Sequence, residues 1–319
     1  MDDDDLELFR RSVRHATEHH TDSELDTALA ELGWADALVA DPQVSVSVLF
    51  ELQGVANATS SALDQLLGTS LGLDDPTAAV VLPAPGRWDP PGRVEGDVVR
   101  VRGLGTATLA RRPAALVVAI TNDPGELALV RVADLARRTV LGVDPSLGLV
   151  TVEGEAQSPA AVAALPAPVW TATVATAQLA VGHELVGAAR QMLELARVHA
   201  LERIQFGRPI SSFQAVRHRL AETLVAIEMA DAALAAAWDD GSPMSASMAK
   251  AVAGRAARTA GRHCQQVLAG IGFTTEHPFQ RYLRRALMLD QLFGSARNLT
   301  KDLGERLVAS RRLPDLLPL

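Results

Sequence analysis

The sequence predicts a mainly α-helical protein with a central β-domain, in the order N-terminal helical domain, middle β-domain and C-terminal four-helix bundle. Three observations carry this prediction. Apolar residues recur at helical spacing within the first 75 residues, short β-branched runs separated by Pro, Gly and Asp follow up to residue 158, and long apolar-periodic segments fill most of the remainder. A chain of 319 residues can hold three domains. We place them at residues 1–75, 76–158 and 159–319.

Composition excludes several classes of function. The net charge of −8 is spread along the chain and gives no basic footprint for nucleic acid. The single cysteine, Cys264, excludes an internal disulfide and a multi-cysteine metal site, and its apolar helical surroundings indicate an inert buried thiol. The first residues lack the basic and apolar regions of a signal peptide, and no apolar run reaches the roughly 20 residues of a membrane span. We expect a cytoplasmic protein with neither a nucleic acid nor a membrane as partner.

The N-terminal domain is predicted from helix signals. Thr21-Asp-Ser-Glu24 has the spacing of a capping box, and the apolar-periodic segment that follows it ends at Gly33. Residues 45–73 are predicted to be further helix. His15, His19 and His20 stand one helical turn apart, which would allow two metal ligands. Because no nearby pattern supplies further ligands, we expect solvated side chains and no metal.

The middle domain is predicted from its alternation of apolar runs and turn residues. The lone Gly103-x-Gly105 lacks the third glycine and the following helix of a nucleotide-binding loop, so we interpret it as a turn. Residues 159–168 are rich in Ala and Pro and are interpreted as a linker. The predicted strands are 79–82, 98–101, 114–120, 127–132 and 147–152.

Residues 203–214 form a polar joint between two long helical segments. Gly207 and Pro209 end the first helix, and Ser211 or Ser212 can cap the second, which leaves the other polar residues of the joint free. A break at residues 239–243 precedes a third helix at about 244–268, and a fourth is predicted at about 278–310. Four long helices with short connections favour an antiparallel bundle.

Two segments of this region carry a family resemblance. Arg203-Ile-Gln-Phe-Gly-Arg-Pro-Ile-Ser-Ser-Phe-Gln214 closely resembles the flavin-binding signature of the acyl-CoA dehydrogenase family. Gln266-Val-Leu-Ala-Gly-Ile-Gly-Phe-Thr-Thr-Glu-His-Pro278, followed by Arg281-Tyr-Leu-Arg-Arg285, is similar to the family's other C-terminal signature. The resemblance covers about residues 169–286. It implies a β-barrel as the middle domain, FAD as cofactor, an acyl-CoA substrate and electron-transfer flavoprotein as electron acceptor.

The resemblance also implies which residues contact the cofactor. A guanidinium offers a pyrophosphate bidentate, charge-assisted hydrogen bonds, and a glycine lets the backbone approach a ligand closely. In the family, these groups reach a flavin whose ring lies in the neighbouring subunit. The positions that hold the pyrophosphate and adenine half of FAD correspond here to Arg203, Gln205, Phe206, Gln214, Gln266 and Gly270.

Other parts of the family's site are missing from the sequence. The loop and strand that hold the flavin ring correspond to residues 82–86 and 103–107, and neither keeps the family's pattern. The family takes its catalytic base from one of two places, which correspond here to Ala177 and Phe293, and neither residue is an acid. Glu184 and Asp290 remain as weak candidate bases. For Glu184, a salt bridge or another satisfied helix carboxylate is the favoured interpretation.

Three hypotheses follow from this combination. The first is one subunit of a heteromeric acyl-CoA dehydrogenase, since short, base-deficient chains of this sort resemble partners in the α2β2 acyl-CoA dehydrogenases of steroid-degrading actinobacteria. The second is a homomeric dehydrogenase with a displaced base. The third is a non-enzymatic structural relative. For the basic group Arg281, Arg284 and Arg285, a solvated face and contact with an anionic cofactor or a neighbouring subunit both remain open.

Overall fold

Three groups of secondary structure follow one another in the computed structural model, which describes residues 3–73, 75, 78–157 and 159–311. Five helices come first, a seven-stranded sheet follows, and five long helices with a small hairpin complete the chain. This order confirms the predicted fold class. Two of the expected domain bounds, residues 76 and 158, lie outside the described residues. In the described part of the chain, no helix is both long enough and apolar enough to cross a membrane.

The N-terminal helices enclose a core of their own, built around Val13, Leu25, Trp34 and Leu49. Thr21 precedes the second helix without capping it, because its hydroxyl oxygen accepts the backbone N–H of Thr59 at 3.2 Å instead. The capping-box pattern therefore predicted the start of the helix correctly, but Thr21 does not make the capping hydrogen bond that the pattern implies. The helices are α1 (Asp3–His19), α2 (Asp22–Glu31), α3 (Trp34–Ala40), α4 (Pro42–Ala56) and α5 (Ala62–Ser70).

The middle domain is one mixed sheet with the strand order β5-β6-β2-β1-β3-β4-β7. Its neighbouring strands are antiparallel, except that β1 and β3 are parallel. The expected barrel thus takes the form of a seven-stranded sheet with β5 and β7 at its ends. The elements are β1 (Gly92–Glu95), β2 (Val98–Gly105), the short helix α6 (Ala107–Ala110), β3 (Ala114–Ile120), β4 (Glu126–Ala133), β5 (Ala136–Thr139), β6 (Val150–Gln157) and β7 (Ala160–Pro166).

Two interpretations of this region are wrong. The supposed linker at 159–168 contains β7, which pairs with β4. Small alanines suit this edge strand, although their low β-propensity hid it. The supposed turn at Gly103-x-Gly105 is the end of β2. A side chain at Gly103 would overlap the carbonyl oxygen of Leu82, so the glycine serves a close backbone approach.

The C-terminal helices pack around α7, which runs for 36 residues. The predicted fourth helix is two helices separated at residues 292–295, where Phe293 (φ 53°) and Gly294 (φ 102°) reverse the backbone. A lysine of the preceding long helix stabilises this break. The buried Lys250 ammonium lies 3.3 Å from the carbonyl oxygens of Leu289, Asp290 and Gly294. The helices are α7 (Ala167–Glu202), α8 (Gln214–Asp240), α9 (Pro243–Leu268), α10 (Phe279–Gln291) and α11 (Ala296–Ser310).

Candidate functional site

The joint between α7 and α8 is a β-hairpin that projects into solvent. Its strands are β8 (Ile204–Gln205) and β9 (Arg208–Pro209), and its two turn residues, Phe206 (φ 53°) and Gly207 (φ 78°), both have positive φ. This is the geometry of a tight hairpin turn that matches the twist of the strands. Phe206 is 91% exposed at the tip. The sequence-predicted contacts Arg203, Gln205 and Phe206 are therefore all exposed on one projection.

The other three predicted contacts lie at the same end of the bundle. Gln214 is the exposed first residue of α8, and Gln266 and Gly270 are exposed around the end of α9. The Thr223 hydroxyl and His263 Nδ1 lie 3.1 Å apart and fix the register of the antiparallel pair α8 and α9. Gln214 lies nine residues before Thr223, and Gly270 seven residues after His263. Both positions therefore lie roughly 10–14 Å beyond this contact, in the same direction.

A groove of about 560 Å³ runs along the end of α9. No atom lies within 4 Å of the position that a Cβ on Gly270 would take, so the backbone there is open to a ligand. Arg262 is the one charged residue among the eight that line the groove. These are Gly261, Arg262, Gln265, Gln266, Ala269, Gly270, Phe273 and Leu283.

The two positions that correspond to the family's catalytic base lie together in the core. Ala177 and Phe293 are both buried, and the Gln178 side-chain amide, next to Ala177, donates a hydrogen bond of 2.9 Å to the Phe293 carbonyl oxygen. Trp170 belongs to the same apolar cluster and donates from Nε1 to the Trp88 carbonyl oxygen at 3.0 Å. Apolar side chains thus occupy both positions that the resemblance relates to the catalytic base.

Glu184 is not free to act as a base, because it is buried against Arg285. The Arg285 guanidinium lies 3.2 Å from a Glu184 carboxylate oxygen and 2.6 Å from an Asp144 carboxylate oxygen. It also donates to the Ala58 carbonyl oxygen and the Thr59 hydroxyl. Burial raises the pKa of Glu184 to about 7, and Arg285 opposes this rise.

Arg285 therefore corrects one sequence interpretation. It is fully buried and belongs neither to a solvated basic face nor to a surface that could meet a cofactor or a second subunit. Arg281 and Arg284 are exposed. The favoured salt-bridge interpretation of Glu184 agrees with this geometry.

Asp290, the other candidate base, stabilises the break between α10 and α11. One carboxylate oxygen accepts the backbone N–H of Ala296 at 3.0 Å, at the start of α11, and the other pairs with Arg258. The carboxylate is almost fully buried. Its hydrogen-bond partners and its burial are those of a structural side chain.

Two further sequence predictions concern metals and thiols. Cys264 is buried, and burial raises the pKa of its thiol to about 12, as expected for an inert side chain. The His15 and His19 rings lie 4.3 Å apart, but no group of three His, Cys, Asp or Glu side chains suited to a metal ion occurs in the described part of the chain.

Comparison with known proteins gives consistent results. Residues 168–308 match the family model described as acyl-CoA dehydrogenase, C-terminal domain. The chain is 31% identical over 280 residues to acyl-CoA dehydrogenase IpdE2 of Mycobacterium tuberculosis, which covers 87% of this chain and 76% of that relative. The chain belongs to the acyl-CoA dehydrogenase family. A shorter match, 46% identical over 110 residues, joins 32% of the chain to 16% of acyl-CoA dehydrogenase FadE34 of the same organism.

Solved acyl-CoA dehydrogenase structures share the whole fold. The Tcur3481-Tcur3483 steroid ACAD variant superposes with a TM-score of 0.78 at 20% identity, covering 97% of this chain and 99% of that one. The ChsE4-ChsE5 complex of Mycobacterium tuberculosis gives 0.74 at 21% identity, with 98% of each chain covered. At these identities the likeness concerns the fold.

FAD is the cofactor of the acyl-CoA dehydrogenase family, and one solved relative, a glutaryl-CoA dehydrogenase of Mycobacterium smegmatis, is in complex with FADH2. The exposed hairpin, the open Gly270 backbone and the cationic groove fit the adenine and pyrophosphate half of FAD. The segments matched to the ring half are engaged internally: Leu82 pairs with Leu104, and Gly86 N donates to Gln291 O at 2.8 Å.

Sequence reasoning missed two residues of the groove, Arg262 and the 70% exposed Phe273. Arg262 precedes Gln266 by four residues, which on a helix places both side chains on one face. That spacing was the available signal. Phe273 lies inside the second signature, but only the structure shows that its ring is exposed.

Proposed function

We propose that this chain is one subunit of a heteromeric, FAD-dependent acyl-CoA dehydrogenase, in which it completes the flavin site of a catalytic partner subunit. The observation that carries the proposal is a contrast within one bundle. The residues matched to the nucleotide half of FAD are exposed, while those matched to the catalytic base, Ala177 and Phe293, are apolar and buried. A chain that kept only the first set can bind part of a cofactor but lacks the proton acceptor of the reaction.

In the proposed assembly, this chain's residues bind and orient the nucleotide. Arg203 pairs with the pyrophosphate through its guanidinium, and Gln205 and Gln214 supply amide donors and acceptors beside it. Gln266 and the Gly270 backbone meet the adenine. FAD, when bound, supplies the hydride acceptor for α,β-dehydrogenation of an acyl-CoA thioester. The partner subunit supplies the carboxylate that removes the α-proton.

The partner that we propose is a second acyl-CoA dehydrogenase chain in an α2β2 assembly. The bundle offers a surface for it, since α8 exposes the apolar side chains Leu224, Val225 and Met229 beyond the hairpin. The structural relatives include a steroid ACAD and a two-component complex. We therefore propose a steroid-derived acyl-CoA as substrate and electron-transfer flavoprotein as electron acceptor.

The proposal is tested by measuring flavin stoichiometry from the visible spectrum. The chain purified alone should carry almost no flavin, and flavin should appear when a neighbouring acyl-CoA dehydrogenase gene is co-expressed. Arg203→Ala should lower the flavin content of the purified complex severalfold without unfolding the chain. Arg197→Ala is the matched control, because Arg197 is exposed six residues earlier and, among the described residues, pairs only with Glu194.

Two outcomes would contradict the proposal. Full flavin content in the Arg203→Ala complex would show that Arg203 does not contribute to flavin binding. About one flavin per chain in the protein purified alone, with turnover that Glu184→Gln or Asp290→Asn abolishes, would establish the homomeric alternative. Neither of these carboxylates is placed for that role, because each is buried and paired with an arginine.

A further inference from the structure

A buried carboxylate connects the N-terminal helices to the middle domain. Asp64 of α5 is 1% exposed, and one of its oxygens accepts a hydrogen bond of 2.7 Å from the Thr106 hydroxyl, just after β2. Its other oxygen, Oδ1, is buried and has no hydrogen-bond partner among the described residues. The ionised form of this side chain is therefore costly, because burial removes the water that would solvate its charge.

The groups that face Asp64 do not offset this cost. The charged group that acts on it is Asp26 of α2, and a second carboxylate disfavours ionisation. Asp26 accepts the backbone N–H of Ser61 at 2.6 Å, immediately before α5. The hydroxyls of Thr106 and Thr108 favour the ionised form, but burial outweighs them and raises the pKa of Asp64 to about 7. The neutral acid keeps its contact, since a hydroxyl can accept the carboxyl proton as well as donate its own.

This contact lies where two domains meet. Asp64 belongs to the N-terminal helices, whereas Thr106 and Thr108 lie at the start of α6 in the middle domain. A second contact between the same domains does not titrate: the Thr59 hydroxyl donates to the Ser146 carbonyl oxygen at 3.2 Å. Protonation can therefore control the first contact and leave the second unchanged.

We propose that Asp64 makes a pH-sensitive contact between the N-terminal helices and the middle domain, protonated and hydrogen-bonded to Thr106 when closed, and ionised and open to water at alkaline pH. An ionised Asp64 has to gain water, because its second oxygen meets no donor among the described residues. Opening releases one proton and breaks no covalent bond. The inference concerns this chain alone and needs neither a cofactor nor a partner subunit.

Difference infrared spectroscopy of the full chain detects this proton directly. Subtracting the spectrum of Asp64→Asn from that of the wild type cancels all other carboxyl groups, Glu184 included. We expect the carbonyl band of a protonated carboxylic acid in this difference at about pH 5.5, and its loss by about pH 9. Asp97→Asn, at an exposed carboxylate in the turn between β1 and β2, is the matched control and should leave the band unchanged.

Two neighbouring residues should shift the midpoint of this titration in opposite directions. Thr106→Val removes a hydroxyl that favours the ionised form, so the band should persist to higher pH. Asp26→Asn removes the like charge but keeps an oxygen for Ser61 N, so the band should be lost at lower pH. A side chain with a purely structural role would show neither shift. Both variants also test the inference if Asp64→Asn does not fold, which thermal denaturation checks.

Hydrogen exchange shows whether ionisation opens the contact. At about pH 9, the amides of α5 and of residues 104–109 should exchange about tenfold faster in the wild type than in Asp64→Asn, and at about pH 5.5 the two should agree. Equal exchange at both pH values overturns the inference, and so does an infrared difference that does not change with pH. Loss of the band and of protection over one pH range supports it. Neither result depends on the flavin content of the Arg203→Ala complex, which tests the proposed function.

Discussion

The surroundings of the Glu184 carboxylate decide both its pKa and whether it can act as a base. Burial raises its pKa to about 7, which by itself would suit a general base at neutral pH. The side chain is, however, paired with Arg285, and Asp144 competes for the same guanidinium. A perturbed pKa at this position therefore reports a buried ion cluster, and structural ion pairs are the common alternative to a catalytic site.

Glu184→Gln should change how the free energy of unfolding depends on pH. The folded-state pKa of Glu184 lies above its ordinary value of 4.5, so the folded chain binds more protons between these two values. This contribution is fully present below about pH 4.5 and is lost as the pH rises through 7. At about 1.4 kcal/mol per pKa unit, it amounts to about 3 kcal/mol at most.

The measurement is urea unfolding of the wild type and Glu184→Gln between pH 5 and pH 8. The variant should lose less stability than the wild type over this interval, because glutamine does not titrate. Glu194→Gln, at an exposed carboxylate, serves as control and should follow the wild type. Parallel pH profiles for wild type and Glu184→Gln would contradict the raised pKa.

At the scale of single elements, the hairpin at residues 204–209 combines an unfavourable residue with a favourable turn. Asn, Asp and Gly suit positive φ at the first turn position, whereas Phe206 places a large, 91% exposed ring there. The left-handed conformation costs roughly 1 kcal/mol for such a residue. The ring meets Phe213 edge to face, with centroids 6.1 Å apart, but stays almost fully exposed, as expected for a side chain that contacts a partner or a ligand.

Phe206→Asn should separate stability from function. The isolated chain should become more stable by at most roughly 1 kcal/mol, because asparagine tolerates the left-handed conformation and loss of the ring contact with Phe213 offsets part of this gain. The purified complex should nevertheless retain less flavin. Thermal unfolding of the isolated chain and the visible spectrum of the complex measure the two effects. Gly207→Ala is the contrasting control and should destabilise the hairpin, since φ is 78° there. Unchanged flavin in Phe206→Asn would remove Phe206 from the proposed contacts.

Asp290 stabilises the break between α10 and α11. Asp290→Ala removes both the acceptor for Ala296 N and the partner of Arg258, and we expect a loss of roughly 2–4 kcal/mol in unfolding free energy. Asp290→Asn keeps an oxygen for Ala296 N and should lose clearly less. Urea unfolding compares the two, and equal losses would show that the hydrogen bond to Ala296 contributes nothing.

The sequence predicted elements well where local pattern decides them. Strand β3 was placed at its observed bounds, because a continuous β-branched run defines it. The break at 292–295 was missed, since a buried lysine from α9 and a carboxylate from α10 stabilise it and neither contact has a sequence signature. The same reason explains Arg285: three arginines at helical spacing gave no indication that one is buried.

For the whole molecule, Arg285 joins the three parts of the chain. Its guanidinium contacts Ala58 and Thr59 in the loop between α4 and α5, Asp144 in the middle domain and Glu184 in the bundle. These contacts lie up to 227 residues apart in sequence. A buried cation thus connects all three parts of the chain, and the proposed shared site requires such a connection if the hairpin is to meet a partner in one orientation.

Arg285→Met should therefore destabilise the chain by roughly 3–5 kcal/mol, because it leaves two buried carboxylates without a cation. Adding Glu184→Gln and Asp144→Asn should recover part of this loss, since the orphaned charges are removed while their shapes remain. Urea unfolding of the wild type, Arg285→Met, the Glu184→Gln/Asp144→Asn double variant and the triple variant completes the cycle. A conservative Arg285→Lys control cannot reach all four of these acceptors and should fall between wild type and Arg285→Met. If removing both carboxylates recovers nothing, the loss comes from packing, and the charge network does not connect the domains.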